Sequence, residues 1–446
     1  MAKHITAATT VITNPPTAAA EIDRVLNMMM RESRPVYVGL SVDIAYEMIS
    51  SAPLASPITT SLLQNNPELE RKVIAEILSK IERAAEPIII VDGGAVRHQV
   101  LSEVNELVEL TSFPTFVTAM GKSGVNEELP NFGGVYGGAG THPGVKEAIE
   151  SSDAVLWIGN FPSDFNTGEF TTDVKEEITI DFQRFSVKVG EVKYNVAMKY
   201  VLGSLIKELR QKSVSKSPRN VTWNPFPVKT FSDSVELKQE FLWPSLGSFF
   251  RPGDIVIGET GTSAFGLCDS KLPKGVMMFN QTVYGSIGYA TGSIVGVGQS
   301  IKESGGKWKR PILVTGEGSM HLTVQAIADM LRWDLRPIIF VLNNGGYTIE
   351  RLIHGKDASY NEVAIYDYSA LAKALGPAHP AKYHGPVKTC GDLTKLLKEP
   401  GFGDAGCFEL VELVLGRLDA PGSVIKTGAA IDEFNKAKVQ KTVPGG

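Results

Sequence analysis

Cysteine is scarce in this sequence. It occurs at Cys268, Cys390 and Cys407, widely spaced and odd in number, which fits a reduced chain and excludes a disulfide framework or a cysteine-rich zinc site. Basic charge is not in surplus either. A formal net charge of −5 leaves nothing to meet nucleic-acid phosphates, so no nucleic-acid partner is expected. No apolar run reaches the ~18 residues that a membrane helix needs. The opening "MAKHITAATT" lacks the apolar core of a secretory signal, so the expected compartment is the cytoplasm, with no membrane partner. There is no GxGxxG motif, internal repeat or low-complexity segment. Of the seven histidines, no two are adjacent.

Apolar material, by contrast, is ample. The 446 residues are 43% hydrophobic and 21% charged, enough for roughly two or three domains with real cores. Much of it lies in uninterrupted runs: "RPVYVGL" (34–40), "PIIIVD" (87–92), "SDAVLWIGN" (152–160), "DIVIGE" (254–259), "ILVTGE" (312–317) and "PIIFVLNN" (337–344). Helix-like stretches precede the first three: "AAAEIDRVLNMMM", "LERKVIAEILSKIERA" and "GVKEAIES". Unbroken strands between amphipathic helices predict α/β units whose parallel sheets are covered on both faces. A Ser-, Pro-, Asn- and Lys-rich stretch at 213–233 reads as a linker, and prolines mark a second one within 51–68. After the first linker, "VELKQEFLWPSLGSFF" (235–250) resumes as a helix. The expected organisation is a partial N-terminal α/β domain at 1–55, a middle domain at 69–212, the linker at 213–233 and a C-terminal domain at 234–446.

The chemistry concentrates at "VTGEGSM" (314–320), where Glu317 sits between two glycines at the end of a strand. A helix is expected from near Ser319, with Met320, Val324, Ile327 and Leu331 facing the sheet. The following strand ends in "NNGGYTIE" (343–350). A right-handed crossover would therefore bring Glu317 and Asn344 to the same carboxyl edge. A diphosphate there is favoured by helix N-termini and by glycines that permit close approach. A carboxylate beside it would be repelled unless a cation lay between them. An acid, an amide oxygen and a main-chain carbonyl suit Mg²⁺. Glu317, the Asn344 side chain and a main-chain oxygen near Gly346 are the expected ligands. The plainer alternative is a solvated turn acid, and the Asn343–Asn344 pair placed after the right strand weighs against it.

These residues resemble the thiamine-diphosphate motif, which begins Gly-Asp-Gly and ends Asn-Asn. With "GETGTSAFG" (258–266), "YGSIGYATG" (284–292), "GYTIERLIHG" (346–355), "VTAMGKSGVNEELPNFGGVYGG" (117–138) and "SDFNTGEF" (163–170), nearly the whole chain is similar to the fungal pyruvate decarboxylase family of thiamine-diphosphate-dependent 2-keto acid decarboxylases. That resemblance implies a middle domain plus a diphosphate-binding C-terminal domain, thiamine diphosphate and Mg²⁺ as cofactors, and a homodimer or tetramer. It implies non-oxidative decarboxylation of a 2-keto acid, pyruvate to acetaldehyde and CO₂, through a cofactor carbanion or enamine.

By the same resemblance Glu317, Asn344 and the Gly346 carbonyl hold the metal. Thr262, Gly318 and Ser319 hydrogen-bond the diphosphate, with Thr260 and Ile349 also in the cofactor-binding set. The Gly285 backbone accepts from the cofactor's amino group, and Ile287 is the apolar wedge that bends the cofactor. Glu350 is the catalytic acid that meets the substrate carboxylate and helps transfer protons. Losing CO₂ leaves a carbanion that no side chain can stabilise, which is why the reaction calls for such a cofactor. The protein's share is orientation, a dry pocket and proton transfer. If buried beside an anionic substrate, Glu350 would favour its protonated form.

Two departures from the family pattern stand out. Glu317 occupies a position that usually carries Asp, and Mg²⁺ tolerates geometric error poorly, so the turn is expected to compensate. The opening of the chain resembles only the later part of the family's N-terminal pyrimidine-binding domain, with about 100–150 residues absent. That domain supplies a glutamate to the cofactor and a pair of adjacent histidines. A catalytically incomplete subunit that associates with full-length chains is therefore a competing expectation, and "PVYVGL" would lack sheet neighbours. An indolepyruvate or phenylpyruvate decarboxylase is a further alternative, decided by pocket size. His321 and His354 are assigned packing, surface or helix-end roles. "VDGGA" (91–95) is assigned to a structural domain. The tail "AAIDEFNKAKVQKTVPGG" reads as a mixed-charge helix that could cover the site.

Overall fold

The computed structural model describes residues 2–59, 61–212, 221–426 and 428–429. The tail from residue 430 and residues 213–220 of the expected linker lie outside the described residues. The chain divides into two compact units, Met1–Glu70 and Arg71–Gly446.

In the first unit, Thr9–Ile12 and Tyr37–Leu40 pair in parallel, joined by the helix Pro15–Glu32. Two prolines open that helix, where a missing N–H loses no hydrogen bond. The run "PVYVGL" thus has one sheet neighbour, which corrects the expectation that it has none. Its outer residues stay open, with Leu40 58% exposed. Among the described residues of 51–66 there is one short 3-10 turn, Ala52–Ala55, ahead of the helix Pro67–Arg83.

The described residues of the second unit form two sheets. The middle sheet runs Phe132–Val135, Thr115–Val117, Pro87–Val91, Ala154–Ile158, Thr179–Gln183, all parallel, then Ser186–Val189 and Val192–Tyr194 antiparallel. The last two strands make it a mixed sheet, which the expectation of parallel domains did not include. Only Arg184-Phe185 and Gly190-Glu191 connect these strands, and connections so short can join only antiparallel neighbours.

The C-terminal sheet is parallel throughout, in the order Met277–Asn280, Asp254–Gly258, Arg310–Gly316, Ile338–Asn343, Phe408–Val414, Ala381–Val387. Its unbroken apolar runs divide by period two. Val256, Ile312, Val314, Phe340 and Leu342 enter one core with the helices Gln239–Phe249 and Cys390–Leu397. Ile255, Ile257, Leu313, Ile339 and Val341 enter the other, with Tyr289–Glu303 and Ala326–Arg332. Both faces are covered, so polarity does not alternate along these strands.

Two helices differ from expectation. The stretch after Glu317 forms Glu317–His321 and Ala326–Arg332 instead of one helix. Between them the N–H groups of Leu322, Thr323, Ala326 and Ile327 bond three residues back, the tighter 3-10 pattern. Thr323 Oγ1 donates to the Gly288 carbonyl at 2.7 Å. Met320, Ile327 and Leu331 remain buried. The helix expected from Val235 starts only at Gln239, because Val235 and Leu237 exchange backbone hydrogen bonds with Cys390 and Lys388.

The middle sheet's loops dock on the edge of the C-terminal sheet. Buried Lys122 donates to Glu127 at 2.8 Å and to the Ser270 carbonyl at 2.7 Å, and Asn280 Nδ2 donates to the Ala119 carbonyl at 2.9 Å. These contacts carry Phe165 to within 5.8 Å of the Phe265 ring.

Candidate active site

Four strands of the C-terminal sheet end at one edge. Asp254–Gly258 delivers Glu259 and Thr260, Arg310–Gly316 delivers Glu317, Ile338–Asn343 delivers Asn344, and Met277–Asn280 leads into the loop carrying Gly285 and Ile287. A cavity of about 290 Å³ lies there. Thr260, Thr262, Gly285, Ile287, Glu317, Gly318, Ser319, Asn344, Gly346, Ile349 and Glu350 all line it, with Phe165 reaching in from the middle sheet. Every residue expected at the site is therefore brought together.

Glu317 is 2% exposed, so it is not a solvated turn acid. Burial pushes its carboxyl pKa up, opposed by backbone N–H groups. Its Oε1 accepts from Gly346 N at 2.6 Å and Asn344 N at 3.2 Å. The longer arm of Glu thus reaches the 344–346 loop, and the turn accommodates it. Gly345 and Gly346 have φ of 73° and 142°. A Cβ on Gly346 would lie 2.0 Å from the Asn361 carbonyl oxygen, so only glycine fits there.

The Asn344 side-chain amide lies against the Gly346 carbonyl oxygen and Glu317 Oε1: its nitrogen donates to them at 2.5 Å and 3.3 Å, and its oxygen accepts from Thr348 Oγ1 at 2.8 Å. Turned over, the amide would set its oxygen beside the Glu317 carboxylate and the Gly346 carbonyl, three hard oxygens that only a cation would hold together. This mixed set fits Mg²⁺. Among the described residues no cluster of three His, Cys, Asp or Glu could hold a metal, so amide and carbonyl donors are part of the signal.

Gly318 and Ser319 fall in the first turn of Glu317–His321, and Thr262 opens Thr262–Gly266. First-turn N–H groups have no partner within their own helix, which suits an anion. Gly285 has φ 55°. At the cavity rim Ile287 is 40% and Tyr284 84% exposed.

Glu350 stands on the helix Thr348–His354. Its side chain is 40% exposed and pairs with His354 Nε2 at 3.3 Å, so the condition of burial attached to a protonated Glu350 is not met within this chain. His354 closes that helix, as a helix-end role requires. His321 stacks on Tyr366, ring centroids 3.6 Å apart, and its Nε2 lies 3.1 Å from Tyr368 Oη. Burial lowers its pKa.

Three residues at the site escaped the sequence reading. Phe165 lay within "SDFNTGEF" with nothing to say that it crosses between sheets. Glu259 is fully buried. Its Oε1 accepts from Thr260 N at 2.7 Å and its Oε2 from Ala290 N at 3.2 Å. Its signal was a Gly-Glu step after a strand, matching Gly316-Glu317. Arg351 is buried behind the 344–346 loop, and a charged residue in a helical stretch gives no such hint. In "VDGGA", Asp92 accepts from Gly93 N, Phe161 N, Thr118 Oγ1 and Asn166 Nδ2 at 2.5–2.9 Å, a saturated turn acid.

The profile "Thiamine pyrophosphate enzyme, central domain" matches residues 74–209, and "Thiamine pyrophosphate enzyme, C-terminal TPP binding domain" matches residues 257–400. Pyruvate decarboxylase of Kluyveromyces lactis is 40% identical over 96% of this chain and 75% of its own length. Pyruvate decarboxylase isozyme 1 of Saccharomyces cerevisiae is 39% identical over 96% of this chain and 75% of its own. Among solved structures, benzoylformate decarboxylase from Polynucleobacter necessarius aligns with a TM-score of 0.70 at 16% identity, over 93% of this chain and 77% of that one, a likeness of fold.

Proposed function

We propose, on the premise that this chain belongs to the thiamine pyrophosphate enzymes and is a homologue of the pyruvate decarboxylases, that it decarboxylates a small 2-keto acid, pyruvate to acetaldehyde and carbon dioxide. The observation that carries this reading is the convergence of the Glu317 carboxyl, the Asn344 amide and the Gly346 carbonyl on one cavity, beside the small first-turn residues Gly318 and Ser319.

When bound, thiamine diphosphate supplies the electron sink that loss of CO₂ requires. Glu317, the Asn344 amide oxygen and the Gly346 carbonyl would hold Mg²⁺, and Thr262, Gly318 and Ser319 would hold the diphosphate. Thr260, Gly285, Ile287 and Ile349 would grip and orient the remainder. Glycines let the backbone approach closely, and Ile287, Ile349 and Phe165 would form the apolar wall of the pocket once its open rim is covered. Glu350, at the cavity mouth and still reachable from solvent, can hold and release a proton there. Apolar Ile287 and aromatic Tyr284, open at the rim, favour a second copy of the chain covering the cavity, hence a homodimer or tetramer. No described helix is long and apolar enough to cross a membrane, and the reading places the enzyme in the cytoplasm.

The test is acetaldehyde release from pyruvate by the full chain, with thiamine diphosphate and Mg²⁺ supplied. Glu350→Gln should lower turnover by about 100-fold or more while leaving cofactor affinity unchanged. Equal loss of both would end the Glu350 assignment. A wild-type chain that binds cofactor and metal yet releases no acetaldehyde would make it a cofactor-binding but catalytically incomplete subunit.

A further inference from the structure

Arg351 follows Glu350 on the same helix but points the other way. Its side chain is 1% exposed, an unusual place for a guanidinium, since burying an unpaired charge is costly. It is held by carbonyls. Nη2 donates to the Gly345 carbonyl at 2.5 Å, and Nη1 donates to the carbonyls of Asn344 at 3.2 Å and Arg417 at 3.4 Å.

The Gly345 carbonyl and the Gly346 N–H belong to one peptide unit, which is planar and trans, so they point in opposite directions. The carbonyl end meets Arg351, and the N–H end meets Glu317 Oε1 at 2.6 Å. A cation and an anion therefore grip a single peptide plane from its two sides, and each polarises the hydrogen bond of the other. The grip matters because Gly345 and Gly346, with φ of 73° and 142°, are the residues with the most backbone freedom to lose. Once that plane is fixed, the next carbonyl, that of Gly346, is left turned toward the Asn344 side-chain amide.

We infer that Arg351 is a positioning residue for the metal loop: it clamps the Asn344 and Gly345 carbonyls so that Glu317, Asn344 and the Gly346 carbonyl face a common cation. This rests on the cofactor reading above. The opposing effect is Coulombic, since a buried guanidinium also repels a nearby cation. Lysine separates the two, because it keeps the charge and loses the planar fork that reaches several carbonyls at once.

The experiment compares the full wild-type chain with Arg351→Lys and Arg351→Met. Mg²⁺ affinity is measured by calorimetry at saturating thiamine diphosphate. Amide hydrogen exchange at Gly346 and the melting temperature are measured without cofactor. Both variants should speed exchange at the Gly346 amide and weaken Mg²⁺ binding by about 10- to 100-fold, the usual cost of losing a residue that orients metal ligands. Unchanged or tighter Mg²⁺ binding with a lowered melting temperature would reduce Arg351 to a packing role. A silent Arg351→Lys would show that charge acts and the fork does not, which also overturns the inference. If Arg351→Met fails to fold, Arg351→Lys decides. If the wild-type chain binds neither metal nor cofactor, the cofactor reading fails instead, and the exchange rate at Gly346 judges the clamp alone.

Discussion

Glu259 and Glu317 stand at the ends of neighbouring strands, each after a glycine and each buried to 2% exposure or less. Burial pushes both carboxyl groups up from the usual range. Their surroundings part there. Glu259 spreads its hydrogen bonds over both oxygens, one to Thr260 N and one to Ala290 N, and so ties its strand to the helix that follows the Gly285–Ile287 loop. Glu317 gathers Asn344 N and Gly346 N on one oxygen, with the Asn344 side-chain amide beside it. One acid ties its own strand to a helix and stays behind the cavity. The other holds the loop of the next strand and lines the cavity. What a buried carboxylate can do depends on which segments its hydrogen bonds tie and on whether it reaches open space.

The sharpest way to break this contrast is at Glu317. Glu317→Gln should weaken Mg²⁺ binding by more than about 100-fold, beyond the cost of an orienting residue, while the metal-free chain keeps its unfolding midpoint. Glu317→Asp, which falls short of the Gly346 N–H, should lie between. Calorimetry with urea unfolding checks both. If Glu317→Gln lowers the midpoint as much as the metal affinity, Glu317 is a brace as well.

Glu259→Gln should do the opposite. Its amide nitrogen would face a buried N–H, costing about 1–3 kcal/mol in unfolding free energy, with Mg²⁺ affinity much less affected. The smallest effect is expected at His321. Burial holds its folded pKa below the ordinary ~6.5, so its contribution to stability is present above ~6.5 and lost as pH falls from there through the lowered folded value. His321→Gln should narrow the melting-temperature gap between about pH 7.5 and about pH 5.5 by a degree or two. An unchanged gap would mean that the Tyr366–Tyr368 stack does not resist protonation.

Much of the C-terminal domain was legible because its local signals agree with its tertiary environment. The runs around Val256, Val314 and Phe340 are unbroken because both sheet faces are covered, and the Gly-Glu-Gly and Asn-Asn steps fall where strands end. What stayed hidden depended on contacts far along the chain. The single helix expected from Ser319 divides where Thr323 reaches the Gly288 carbonyl. The hairpin strands at Ser186–Val189 and Val192–Tyr194 are short and half-buried, too weak in pattern to stand out from loop.

The sequence by itself determined the α/β class, the covered parallel sheet of the C-terminal domain and the set of residues that meet at its carboxyl edge. Strand order at a crossover follows from chain direction and handedness, which need no knowledge of distant neighbours. Only the tertiary structure decided which of two equivalent-looking glutamates stays behind the cavity as a brace and which lines it beside the Asn344 amide. It also decided that Glu350 stays open in this chain and that Arg351 grips the far side of the loop Glu317 holds. Those outcomes depend on where backbone donors and acceptors from separate segments come to rest, and short-range pattern carries no record of that.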